Sequence, residues 1–561
     1  MNEINWLNVA LSFLGGFGLF LFGMEYMGEG LQKAAGSKMK NLLGVLTNNR
    51  LLGVLVGAGV TALIQSSSAT TVMVVGFVNA GLMSLKQAVG VIMGANVGTT
   101  VTAWIVSLGE WTSFLKPAVL APICIIIGVV LTMFAKRQHI KHIGQILFGF
   151  GALFLGLETM STAAEPLSGL EEVRNLFVIL GSNPILGIIT GAIVTAVIQS
   201  SSASVGILQA LAIAALVPWN SAIYIILGQN IGTCITAILS SIGASKNAKR
   251  AATIHFLFNF LGSVVFAIIA FIGFGWIAPN LGSQTIDVTQ ISIVHTIFNI
   301  MNTVLLFPFA GILVTLAETI ITGKDDLDEG ELKHLDERIL ETPSFAVENA
   351  VKEVVRMGNI ALQNVQAAKE ALFEENEKKI EEVFEREKVI NQLQHGINHY
   401  LVKLTNTTIS EKEHTIVTGL FHTVSDIERV GDHAENLAEL AQNLIEQELS
   451  FSDKAKQELQ EIIETATSCF EMSMRAYEFS DKAIAQKALP IEDKVDRMET
   501  KLRSRHMKRL ADNTCNSVAG IVFLDVVSNV ERISDHACNI AQTILDDNKS
   551  LTSEDVNYST F

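Results

Sequence analysis

Gln65-Ser66-Ser67-Ser68-Ala69-Thr70 lies in the middle of an apolar stretch long enough to sit inside a bilayer, and it returns as Gln199-Ser200-Ser201-Ser202-Ala203-Ser204. A second pair repeats at the same distance: Gly94-Ala95-Asn96-Val97-Gly98-Thr99-Thr100 answers Gly228-Gln229-Asn230-Ile231-Gly232-Thr233-Cys234. The offset is 134 residues in both cases, and it also carries Gly53, Gly57, Thr61 and Ala62 onto Gly187, Gly191, Thr195 and Ala196. A constant offset across separate motifs indicates a duplicated unit. One residue of slippage upstream aligns Gly23, Glu25 and Met27 with Gly156, Glu158 and Met160.

The averages of the 561-residue chain, 17% charged residues and a mean hydropathy of +0.39, combine two unlike halves. Through Gly323 there are 13 Lys and Arg against 10 Asp and Glu; the remainder holds 27 against 46. An apolar membrane half is thus followed by an acidic soluble one rich in Glu, Lys and Ala, a composition for helices. Its acidic sign argues against nucleic acid as a partner. The five cysteines (Cys124, Cys234, Cys469, Cys515, Cys538) are odd in number and scattered, which gives neither a disulfide framework nor a zinc site. Met1 to Asn5 lacks the basic start of a cleavable signal, so the first apolar segment is expected to remain as a span.

A crossing helix needs about 20 apolar residues. Seven segments qualify, near 7–27, 88–108, 117–135, 143–162, 220–242, 251–275 and 291–318. The two Gln-Ser-Ser-Ser segments, roughly 50–83 and 184–217, read instead as re-entrant hairpins, each an apolar arm, a polar tip and a second apolar arm. With the N-terminus external, eleven of the thirteen cations fall inside, leaving only Lys116 and Arg174 outside. The acidic half is then cytosolic. Three full spans separate the copies, so the second is inserted upside down and the two tips can meet near the midplane, the arrangement inverted-repeat transporters use for their sites. Serines and glycines also let helices pack closely, but three serines in a row, in symmetric copies, exceed what packing needs.

Each tip offers hydroxyls, a Gln amide and the unpaired backbone N–H groups that begin the following half-helix, which suit an anion. Carbonyls freed at the end of the preceding half-helix, with the hydroxyl oxygens, suit a small hard cation such as sodium. Asn96, Thr99, Thr100, Asn230 and Thr233, in glycine-punctuated spans next in sequence, would complete the shell. The apolar interior holds no Lys or Arg to balance an anion, so co-bound cations are the natural substitute. Moving a divalent anion inward against a negative interior costs about 4.6 kcal/mol per 100 mV, and two sodium ions cancel that charge. A serine nucleophile needs a base within reach, and no His or Asp lies close in sequence to either tip, which speaks against an enzyme. His255 with Asn259, and His295 with Asn299, form His-x-x-Phe-Asn units that read either as functional groups or as interhelical hydrogen bonds. Glu25 and Glu158 sit near span ends, where capping or snorkelling is expected.

The paired Gln-Ser-Ser-Ser and Gly-x-Asn-x-Gly-Thr motifs resemble the type II sodium-phosphate cotransporter family over most of residues 1–320. That resemblance implies a substrate and sodium site built from Gln65, Ser66, Ser67, Ser68, Thr70, Asn96, Thr99 and Thr100 with Gln199, Ser200, Ser201, Ser202, Asn230 and Thr233, inorganic phosphate as substrate and sodium as coupling ion. The chain departs from animal members in its short external loops without cysteines. It also lacks an obvious acid soon after Thr100, Glu110 apart, which leaves electrogenicity open.

After a charged linker (324–342), the second half shows helical periodicity with breaks near Thr405–Glu411, Gln447–Asp453 and Leu489-Pro490, giving about six long helices over 343–547 and a tail, 548–561. It too repeats: Glu428-Arg429-Val430-Gly431-Asp432-His433-Ala434-Glu435-Asn436 corresponds to Glu531-Arg532-Ile533-Ser534-Asp535-His536-Ala537-Cys538-Asn539, offset by 103. Residues at i and i+4 share a helix face, so Glu428 with Asp432 and Glu531 with Asp535 pair their carboxylates, as do Glu492 with Asp496; Glu387 faces Asn391 instead. Such clusters hold hard or borderline cations, or else form a solvated salt-bridge network with Arg429 and Arg532. The paired motif resembles the PhoU family of phosphate-regulatory proteins, which implies two three-helix bundles and a divalent or iron-type metal cluster on Glu387, Glu428, Asp432, Glu492, Asp496, Glu531 and Asp535.

The expectation is therefore an all-α protein: a polytopic membrane domain of two inverted repeats with re-entrant hairpins (repeats about 7–135 and 143–275, final span 291–318, the domain ending at 323), followed by a cytosolic PhoU-like pair of three-helix bundles. Its expected activity is sodium-coupled phosphate transport across the inner membrane by alternating access, tuned by the second half through docking, self-association or phosphate-signalling proteins. A membrane-anchored phosphate sensor without flux and a phosphate exporter are the alternatives.

Overall fold

A computed structural model describes residues 5–35, 49–111, 117–278, 280–323, 330–407, 409–512 and 515–546, and among them the chain is almost entirely helical. It divides into two compact units, Met1–Asp325 and Asp326–Phe561.

The first unit holds α1 (Trp6–Ala35), α2 (Arg50–Ile64), α3 (Ser67–Asn79), α4 (Leu85–Trp111), α5 (Pro117–Phe134), α6 (Gln138–Ala164), α7 (Glu171–Ser182), α8 (Pro184–Ile198), α9 (Ser201–Ile213), α10 (Trp219–Gly232), α11 (Cys234–Ser240), α12 (Lys246–Ile272), α13 (Val288–Leu306) and α14 (Ala310–Ile320). Six helical stretches are long and apolar enough to cross a membrane, and a seventh if α7 and α8 count as one. Those two helices meet at a bend of 109°, so α7 does not continue α8. Six of the seven expected spans are found among these stretches. The other, 117–135, is the 18-residue α5, about 27 Å at 1.5 Å per residue and so a little short of a 30 Å core.

Close approach of backbones sets the packing, and it recurs in both copies. A Cβ on Gly57 would run into the carbonyl of Val91, and one on Gly94 into that of Val54; Gly191 meets Ile225 and Gly228 meets Ile188 in the same way. Each copy thus locks α2 on α4, or α8 on α10, through a reciprocal pair of glycines, as small residues do between helices in lipid. Leu11, Leu14, Phe22, Ile126, Met133, Ile193, Ile268, Ile269 and Trp276 are exposed, as side chains that face lipid would be.

The second unit consists of α15 (Pro343–Glu374), α16 (Glu377–Thr405), α17 (Glu411–Glu446), α18 (Asp453–Phe479), α19 (Lys482–Ala511) and α20 (Ser517–Asp546). α15–α17 form one three-helix bundle and α18–α20 a second, joined through α17 against α20 and α15 against α18. Capping defines several ends: Ser410 and Glu413 form a reciprocal capping box at the start of α17. The expected break at Leu489-Pro490 is not present. α19 runs through Pro490, and the turn before it falls at Ser480, whose φ of 50° stops α18. Pro490 is tolerated because it and Gln486 are exposed, so the carbonyl left without an N–H partner can face water.

The expected linker also differs in its described part. Residues 330–342 lie on the first bundle, with Leu335 and Ile339 buried, the backbone N–H groups of Lys333 and His334 donating to the fully buried Glu353, and Tyr400 donating to the Asp336 carbonyl. Acid-rich composition hid this contact, because one buried carboxylate and two apolar side chains carry it.

Candidate functional site: two serine tips that meet

Each Gln-Ser-Ser-Ser segment is a helix, a two-residue break and a second helix. Gln65 ends α2 in the left-handed conformation (φ 60°, ψ 20°), as Gln199 ends α8 (φ 59°, ψ 21°), and Ser66 and Ser200 follow in extended conformation at φ −141°. Left-handed backbone is uncommon for a residue with a side chain, and here it is repeated to within a degree. Ser66 Oγ accepts from Ala69 N–H at 3.1 Å and Ser200 Oγ from Ala203 N–H at 3.2 Å, so the first serine of each run caps the next helix. Thr61 then donates to Thr70 at 3.0 Å, and Thr195 to Ser204 at 2.9 Å. Nine residues of straight helix would separate such partners by about 13 Å, so the arms fold back on each other.

The tips meet. Ser67 Oγ and Ser201 Oγ lie 3.5 Å apart, Ser68 donates to the Gln199 carbonyl at 3.4 Å, and Ser202 donates to Thr102 at 3.3 Å. Around them Asn96 and Asn230 each donate to the carbonyl four residues back at 2.8 Å, which turns the amide oxygen away from the backbone, and Thr99 and Thr233 bond likewise. Thr100 bonds to the Val97 carbonyl instead. Gln65, Ser67, Thr70, Asn96, Thr99, Thr100, Ser201, Ser202, Asn230 and Thr233 are buried. The start of α3 and of α9 thus presents N–H groups without intrahelical partners beside hydroxyls and amide oxygens. No Lys or Arg occurs between Arg50 and Lys86 or between Arg174 and Lys246, so neither hairpin carries a cation between its ends, and the start of the second helix in each supplies its positive partial charge.

The copies are unequal in one respect. Gln65 is buried and its Oε1 accepts from Thr102 at 2.9 Å, whereas Gln199 is exposed and the counterpart threonine, Thr236, has a buried Oγ1 without a partner. The helix that bears them differs as well: α4 is continuous through Thr99, while α10 stops at Gly232 and α11 resumes at Cys234. Thr102 and Thr236 were not among the residues expected from sequence, although each follows the glycine-punctuated motif three residues after its first threonine. The His-x-x-Phe-Asn units lie fully inside the first unit; Asn259 and Asn299 donate to the His255 and His295 carbonyls, and their Oδ1 atoms are buried without partners.

In the second unit the carboxylates gather as two groups. Glu387 is 2% exposed, with neither oxygen hydrogen-bonded. Burial, then Asp432, Glu435 and Glu428, push its carboxyl up to about 8. Arg429, itself largely exposed, lies 3.6 Å from Asp432 and 3.9 Å from Glu428. In the second copy single carboxylate oxygens of Glu492, Asp496 and Asp535 lie within 4.8 Å of one another. Glu531 stands beside them, raised by burial and then by Asp535 and Asp496. Glu435, which the i, i+4 pairing passes over, belongs to the first group; its place is taken by Cys538 in the second, whose thiol burial and Glu492 push up to about 11.

Fold and paired tips together define a multi-pass membrane protein with an appended helical domain. The Na+/Pi-cotransporter family matches residues 19–162 and 165–283, and the PhoU domain matches 354–441 and 459–544. The chain belongs to the Na+/Pi-cotransporter family and carries a C-terminal PhoU domain; it is a phosphate transporter and not an enzyme. Among its relatives is YjbB of Escherichia coli strain K12, by name a candidate inorganic phosphate export protein, 25% identical over 543 residues that cover 96% of this chain and 97% of that one. The uncharacterised YqeW of Bacillus subtilis strain 168 is 30% identical over 324 residues, covering 56% of this chain and 99% of its own. A crystal structure of PhoU from Pseudomonas aeruginosa aligns with 36% of this chain and 97% of its own at 21% identity and a TM-score of 0.35.

Proposed function

We propose that the protein moves inorganic phosphate with sodium by alternating access, through a site that both tips share. The 3.5 Å approach of Ser67 to Ser201 is the observation that carries this reading, since one pair of tips in contact makes one site out of two copies. The copies are read as inverted, each hairpin re-entering from its own face, because an odd number of spans separates them. N–H groups at the starts of α3 and α9 would hold the phosphate oxygens, with Ser67, Ser68, Ser201 and Ser202 donating to them. The amide oxygens of Asn96 and Asn230 and the hydroxyls of Thr99 and Thr233 supply hard ligands for sodium. The inequality of Gln65 and Gln199 supports a carrier at rest on one side. Positive charge near the span ends favours a cytosolic second unit in the inner membrane and an external N-terminus.

Phosphate uptake into proteoliposomes, with and without an inward sodium gradient at clamped voltage, tests the reading. Sodium-dependent accumulation is expected; saturable binding without accumulation in either direction would leave a sensor. Export is the second reading, favoured by the name of a relative that matches both halves of this chain. Running the same assay with the phosphate and sodium gradients reversed separates import from export.

The carboxylate groups fit a metal ion by their donors, since a buried Glu387 with two unbonded oxygens needs either a proton or a cation. Glu387, Glu428, Asp432 and Glu435 would hold one ion, and Glu492, Asp496, Glu531 and Asp535 another. A bound cation would bring facing helices together, and the PhoU domain would report that state to the transporter.

A further inference from the structure

After Gly323 acids outnumber cations 46 to 27, yet α19 contains Lys501-Leu502-Arg503-Ser504-Arg505-His506-Met507-Lys508-Arg509, five cations in nine residues and no acid. Arg505 and Arg509 reach Glu458 at 3.4 and 2.7 Å, and Arg503 reaches Glu499 at 2.7 Å, while Lys501 and Lys508 are exposed. Three large apolar side chains are exposed at the same end of the bundle: Met507 on α19, and Val518 and Ile521 on α20.

Helix geometry puts two of these on one side. His506 stacks on Phe523 with ring centroids 4.6 Å apart, and a Cβ on Gly520 would meet His506 and Leu510, so α19 and α20 meet antiparallel through 506, 510, 520 and 523. Met507 and Ile521 each come one residue after an inward-facing position, a rotation of about 100°. In antiparallel helices that step carries both side chains to the same side. Arg503, four residues before Met507, shares its face.

The fold does not demand this surface. At the 103-residue offset, Val518 and Ile521 correspond to Thr415 and Thr418, whose hydroxyls donate to the carbonyls of Glu411 and His414. The cationic run corresponds to Asn398–Asn406, which contains one cation, Lys403, paired with Glu337 of the segment lying on the first bundle. Among the described residues no such segment is seen on α19.

We propose that the α19–α20 end of the PhoU domain docks on a bilayer surface bearing anionic headgroups, Lys501 and Lys508 meeting the lipid phosphates while Met507 and Ile521, flanked by Val518, enter the headgroup layer. Charge selects this partner. Lys501 and Lys508 lie about 100–120° round α19 from Met507, so exposed cations border the apolar side chains at one end of a unit whose net acidity would otherwise keep it off an anionic membrane. The chain's own spans keep a bilayer within reach. Asp512 and Asp525 are exposed nearby, so the surface is moderately cationic and its binding sensitive to salt. The proposal is independent of whether, and in which direction, phosphate moves.

The test uses the full chain in nanodiscs of phosphatidylcholine alone or mixed with phosphatidylglycerol, read by hydrogen–deuterium exchange over residues 501–512 and 515–525. Several-fold slower exchange is expected in the anionic discs only, reversed by raising salt to about 0.5 M and by the double variant Lys501→Glu with Lys508→Glu. The milder pair Lys501→Gln with Lys508→Gln should lie between, and both pairs alter exposed side chains outside the bundle core. Equal exchange in the two lipids, or protection that survives salt and both variants, would overturn the proposal.

Discussion

Ser66 and Ser67 differ in task although they are neighbours of one kind. Ser66 closes a helix start through Ala69 N–H, as Ser200 does through Ala203 N–H, whereas Ser67 and Ser201 face each other. Ser67→Ala and Ser201→Ala should therefore leave folding nearly intact. They should lower apparent phosphate affinity by about ten- to a hundredfold, since a hydrogen bond to a charged ligand is worth ~1.5–3 kcal/mol. Transport kinetics of each variant check this, and unchanged kinetics in both would refute the shared site. Ser66→Ala should instead cost about 1 kcal/mol of stability through the lost cap, visible in thermal unfolding. Glu387 offers a residue-scale test in the soluble unit. Its carboxyl is raised from 4.5 to about 8, so the metal-free fold binds more protons than the unfolded chain between those values. The stability this group contributes should be fully present below pH 4.5 and be lost as pH rises through about 8, and Glu387→Gln should flatten that slope in chelator-treated protein.

At the scale of elements, the reciprocal glycines hold each broken helix pair against its neighbour. Gly94→Ala or Gly228→Ala places a methyl on a backbone carbonyl that cannot yield like a side-chain end. A loss of ~1–3 kcal/mol is expected for either, measured as a lower melting temperature in detergent. The inequality of the two tips belongs here as well. Thr102→Val removes the donor that holds Gln65, and it should shift the apparent phosphate affinity seen from one face of the membrane more than that seen from the other. Equal shifts from both faces would mean that the Thr102 bond serves folding alone. The sequence showed the repeats and the tips, because chemically unusual residues recur at one offset. It showed neither the break at Thr233 nor the continuity of α4, since the two motifs are nearly identical there and long-range packing decides. Pro490 misled in the opposite direction: an exposed proline can stay in a helix whose buried face is otherwise regular.

For the whole molecule, two units with separate cores and opposite surfaces predict separable behaviour. Removing residues 343–561 should leave sodium-dependent flux measurable while abolishing any response to phosphate status or metal. Complete loss of flux would instead make the PhoU domain part of the transport unit. Chelation should lower the unfolding temperature of the second unit in the intact protein and leave its first unit unchanged, if the carboxylate groups hold metal.

The amino-acid order by itself determined the duplication, the apolar and acidic halves, the polar tips, the six helices of the second half and the family, because each is written in local composition, periodicity or repeated motifs. Only the tertiary structure decided that Ser67 meets Ser201, that Thr102 holds Gln65 while Thr236 stands alone, that Glu435 joins Glu387, and that residues 330–342 lie on the first bundle. Those facts depend on distances between residues far apart in the chain, which the packing of whole helices fixes and no local pattern contains.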